Sequence, residues 1–79
     1  MPSWFEFLRI EAGLAMCFID CARLRSNPMD AARSVENARK ALAVIQRSLM
    51  QPLRAGLNED EVFFLEQRCV TIETALASC

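Results

Sequence analysis

The chain has no histidine and no tyrosine, and only 2 of its 79 residues are glycine. Without histidine it lacks the commonest general base and the commonest metal ligand. Scarce glycine excludes collagen-like and Gly/Pro-rich classes and leaves no Gly-rich phosphate loop. No charge sign dominates. Nine basic and 10 acidic residues give a net charge of −1, so there is no global pull toward nucleic acid or an anionic membrane. A long hydrophobic run is also missing. The most apolar stretch, Ile10 to Leu24, is interrupted by Glu11, Asp20 and Arg23 and is too short and too charged to span a bilayer. The start, Met1-Pro-Ser-Trp-Phe-Glu-Phe, lacks the basic n-region of a secretory signal. The expectation is a cytoplasmic protein with no membrane attachment.

Hydrophobic residues make up 53% of the chain and charged residues 24%, which excludes disorder. Seventy-nine residues suit one small domain, 1–79, with a thin core. The apolar fraction exceeds the average of about 45–50%. Either almost every apolar side chain is used inside, or a partner covers some of them. Eight Arg against one Lys, with eleven Ala, suit a GC-rich bacterial source.

Two punctuation points divide the chain into three helical runs, at about 3–25, 28–50 and 59–78. At the first, Asn27 suits an N-cap, Pro28 suits N1, and Asp30 at N3 complements the helix dipole. At the second, Pro52 ends or kinks helix 2 and Gly56 suits a left-handed turn. Asn58 then caps helix 3, with Glu61 completing a capping box and Leu57 and Val62 forming a hydrophobic staple.

Helix 1 carries two apolar stripes. One reads Phe5, Leu8, Ala12, Ala15, Ile19, Ala22, and the other Phe7, Ile10, Leu14, Cys17, Cys21, Leu24. Each has the spacing of a helix-packing seam, so helix 1 is expected to be the most buried element. Helix 2 has the stripe Ala31, Val35, Ala38, Leu42, Ile45, Leu49. Helix 3 has Val62, Leu65, Cys69, Ile72, Leu76, widened by Phe63, Val70 and Ala77, with Phe64 pointing away. Short connections favour antiparallel neighbours, so the predicted fold is all-α, an up-down-up three-helix bundle. Trp4, Phe5 and Phe7 should then meet Leu49, Leu53, Leu57 and Phe63 at one end. Helix 2 is net basic and helix 3 net acidic, which favours their pairing.

The chemistry-bearing residues form no enzymatic pattern. No nucleophile–base pair is recognisable, and no catalytic residue or cofactor is expected. Cys17 and Cys21 lie four apart, but Cys69 and Cys79 are ten apart, so a four-thiolate metal site is not expected. Cys21 with Cys79 is the one disulfide pairing that bundle geometry brings to a common end. Arg33, Arg39, Lys40 and Arg47 form a basic flank on helix 2. A solvated helix face is its ordinary explanation, and binding of nucleic acid or an acidic peptide is the alternative. Met16 and Phe18 lie outside both stripes of helix 1, and Phe64 outside that of helix 3. With Trp4, Phe7 and Leu14 they make the expected interface, for a homodimer first and for a helical peptide or protein partner second.

The stretch Leu14 to Ile45, with its Ala-rich ladder ending in Asn37-Ala-Arg-Lys-Ala-Leu42, resembles a tetratricopeptide-type helical hairpin. The resemblance covers less than half the chain. Both helices exceed that repeat's length, and its aromatic and Leu-Gly positions are unmatched. In size and helix count the whole chain is also similar to the three-helix microtubule-interacting-and-trafficking module. Both resemblances imply a protein-interaction role that binds helices or peptides in a groove.

Overall fold

The computed structural model describes residues 3–24 and 27–78. It is an all-α three-helix bundle of α1 (Trp4–Leu24), α2 (Pro28–Met50) and α3 (Glu59–Ala77). Helix α1 packs against both others, more extensively against α2 than against α3.

The helix starts follow from local chemistry. Asn27 Oδ1 accepts from the Met29 N–H at 2.9 Å, with Pro28 in the first turn. At α3 the capping box is complete. Asn58 Oδ1 accepts from the Glu61 N–H at 2.8 Å, and Glu61 Oε1 accepts from the Asn58 N–H at 3.0 Å. These bonds satisfy amides that a helix start leaves without partners. Leu57 is buried and Val62 packs against the core, as a staple requires.

Helix α2 stops at Met50 with Gln51 as its C-cap. A further turn follows and closes on Gly56. The Gly56 N–H donates to the Leu53 carbonyl at 3.2 Å, and the Leu57 N–H to the Pro52 carbonyl at 2.9 Å. With Gly56 at φ 73°, this is a Schellman closure around a left-handed residue. The reversal returns α3 onto its own chain.

The core is one cluster built around Leu8, Ile19, Ile45, Leu65 and Ile72, the largest fully buried side chains. Ala12, Ala15, Ala38 and Ala41 lie among them, so the helices approach closely there. At one end the Trp4 Nε1–H donates to Ser48 Oγ at 3.0 Å, joining the start of α1 to the end of α2. Phe5 meets Phe64 edge-on, with ring centroids 5.6 Å apart.

Two expectations need correction. Helix α1 buries one stripe rather than two. Leu8, Ala12, Ala15, Ile19 and Ala22 are buried, while Phe7, Ile10, Leu14, Cys17, Cys21 and Leu24 are exposed. Both neighbours fit onto the first stripe because alanine holds three of its positions. In α3 the roles of the adjacent phenylalanines are reversed. Phe63 is 63% exposed, whereas Phe64 is half-buried against the core. At about 100° per residue, Phe63 lies nearly opposite Leu65, Cys69 and Ile72. The aromatic end is therefore smaller than expected, since Leu53 and Phe63 stay outside it. Helices α2 and α3 pack together as their opposite net charges favour, though no ion pair joins them among the described residues. Both ion pairs found there, Arg9–Glu6 at 2.7 Å and Arg23–Asp20 at 3.9 Å, lie within α1. The polar link between α2 and α3 is a hydrogen bond from Gln46 Nε2 to Glu73 Oε1, at 2.8 Å.

Candidate functional site

The most unusual surface feature is the second stripe of α1. Phe7, Ile10, Leu14, Cys17, Cys21 and Leu24 step 3, 4, 3, 4, 3 along one helix. At about 100° per residue they share a face whose centre is on the order of 150° from that of the buried stripe. Among the described residues nothing covers that face. Ile10 is 55% exposed and Leu14 43%. Trp4 extends the stripe at its upper end. Its ring stacks on Phe7, with centroids 4.8 Å apart and planes inclined by 25°. The hydrogen bond to Ser48 holds the indole in place, so the aromatic end of the face is preorganised. Scattered exposed apolar residues are ordinary, but a continuous row at seam spacing has the pattern of a helix-packing face.

The predicted interface residues separate into two groups. Trp4, Phe7 and Leu14 lie on this exposed face. Met16, Phe18 and Phe64 are half-buried and packed against the core, and Arg68 caps the Phe64 ring at 5.0 Å. Those three side chains serve the bundle's own packing. Ile10, Cys17, Cys21 and Leu24 take their place, and their seam spacing was already visible in the sequence.

The basic flank also divides. Arg33, Lys40 and Arg47 are exposed and seven residues apart, so they form one row along α2. None of them joins an ion pair among the described residues. Arg47 reaches an open hollow beside Trp4 that Arg54 also lines. Arg39 belongs elsewhere, in a cleft with Leu42, Glu73 and Leu76 at the α2–α3 side.

The cysteines differ in setting. Cys17 and Cys21 are exposed, while Cys69 is buried. Burial pushes the Cys69 thiol above its ordinary value of 9.0, and the nearby Glu73 and Glu66 carboxylates add to the effect. Among the described residues no three potential ligands gather at a metal-binding distance. Cys79, one half of the disulfide pairing considered above, lies outside the described residues. No described helix is long and apolar enough to cross a membrane. No protein-family model, curated protein or solved structure matches this chain.

Proposed function

We propose that this protein is a small, non-enzymatic cytoplasmic interaction module that self-associates through the exposed apolar face of α1. The observation that carries the proposal is the unpartnered stripe from Phe7 to Leu24, with the spacing of a packing seam. Covering such a face removes apolar area from water at a gain of about 25 cal/mol per Å². A second copy supplies a face of the same length and period. The chain would thus bury in the assembly what its own three helices leave open. The test is solution mass by light scattering over a concentration range, with and without reductant. A dimer that persists in reductant is the expected result, and a monomer throughout would overturn the proposal.

A second reading rests on the row Arg33, Lys40, Arg47, which is exposed and free of ion pairs among the described residues. It is binding of nucleic acid or an acidic peptide along α2. Salt separates the two readings. Binding to phosphates weakens steeply with ionic strength, whereas apolar association does not.

A further inference from the structure

Resting on the self-association reading, the structure assigns a direction to it: two α1 helices docked antiparallel about a two-fold axis near Leu14. Two independent patterns along the helix carry the inference.

The first is size. The exposed face is bulky at its start, with Trp4, Phe7 and Ile10, slim at Cys17 and Cys21, and bulky again at Leu24. Leu14 lies at its midpoint. Turning a second copy end over end about Leu14 brings Phe7 level with Cys21 of that copy. To within one residue it brings Ile10 level with Cys17. Bulky side chains then meet small ones at these two levels on each side of the axis, the alternation that close packing favours, while Leu14 meets its own copy and Trp4 comes level with Leu24. A parallel arrangement would place Phe7 against Phe7 and leave slack at Cys17 and Cys21.

The second pattern is charge. On the side of the stripe away from α2, helix α1 carries Glu6 and Arg9 near its start and Asp20 and Arg23 near its end. All four side chains reach solvent; Glu6 pairs with Arg9 and Asp20 with Arg23, and Arg23 also donates to Ser78 Oγ at 3.2 Å. In the antiparallel arrangement Glu6 comes level with Arg23 of the second copy, and Arg9 with Asp20, each to within one residue. The two-fold axis repeats both matches. In a parallel two-fold pair these flanks lie on opposite sides of the seam, so neither match forms. Opposite charges beside an apolar seam set orientation more than they add affinity.

Disulfide mapping tests the direction. Cys17, Cys69 and Cys79 are replaced by alanine and Phe7→Cys is introduced, leaving Cys21 as the other thiol. Position 7 and Cys21 lie about 21 Å apart on one helix at 1.5 Å per residue, too far for a bond within one chain. After mild oxidation and trypsin digestion, the expected principal product is peptide 1–9 joined to peptide 10–23 in a covalent dimer. Peptide 1–9 joined to itself, with 10–23 joined to itself, would overturn the antiparallel seam. A dimeric mass for the unsubstituted chain would then leave self-association standing. A monomeric mass for the unsubstituted chain would remove both readings. Should the substituted chain not fold, oxidation of the unsubstituted dimer gives the answer. Peptide 10–23 linked to itself overturns the proposal, and a dimer that persists in reductant and forms no such linkage on oxidation supports it.

Discussion

Ile10 and Ile19 are the same residue on the same helix, yet Ile10 is 55% exposed and Ile19 is 0% exposed. Each belongs to a stripe of the same period. What separates the stripes is their company. Ile19 shares its face with Ala12, Ala15 and Ala22, small side chains over which two neighbouring helices can close. Ile10 shares its face with Phe7, Leu14 and Leu24, which hold any neighbour further off. Interaxial distance between packed helices depends on the side chains at the contact. The chain thus builds its own bundle on the slim face and keeps the bulky one free.

The contrast can be tested in order of effect. Ile19→Ala should lower folding stability by about 2–5 kcal/mol, read by urea unfolding at low protein concentration. Ile10→Ala should change it by no more than about 0.5 kcal/mol while weakening association. Equal losses of stability would show that both faces are packed in the single chain. Next, Ala15→Leu should cost about 1–3 kcal/mol, because it widens the seam that both neighbours share. Leu14→Asp should leave the unfolding midpoint near that of the parent. It should also raise the dimer dissociation constant at least about tenfold, roughly 1.4 kcal/mol, as measured by light scattering. The smallest effect belongs to the thiols. Cys17 and Cys21 should react with a maleimide well before Cys69, as peptide mapping would show. Cys69 holds its proton more tightly when folded than when unfolded. Its contribution to stability is therefore complete below pH 9.0 and is lost as pH rises through the folded-state value. Unfolding midpoints compared on either side of that pH, with Cys69→Ala as control, would measure it.

The helix boundaries were legible because their signals are local. Asn27-Pro28, Gly56 and Asn58 with Glu61 act through bonds to amides and carbonyls a few residues away. The choice between the two stripes of α1 was not legible, because periodicity is blind to which seam the neighbours take. The alanines of the buried stripe held that information as size rather than spacing. Phe63 and Phe64 were misjudged for a related reason. Both are apolar and adjacent, and only the angular position of each relative to Leu65 and Ile72 decides which one the core admits. Of the candidate site, Trp4, Phe7 and Leu14 could be named in advance as interface candidates, although Phe7 and Leu14 belong to a stripe expected to be buried and Trp4 to a cluster expected to cap the core. Met16 and Phe18 could not be placed, because their burial depends on the neighbours gathering around α1.

Trp4 is the chain's single tryptophan, hydrogen-bonded to Ser48, stacked on Phe7 and half open to solvent. The indole therefore sits where the intramolecular joint between α1 and α2 meets the exposed face. One emission spectrum should register two events without any added dye. Opening of the bundle would break the bond to Ser48 and shift emission to the red. Covering of the face by a second copy would dehydrate the outer edge of the ring and shift emission to the blue.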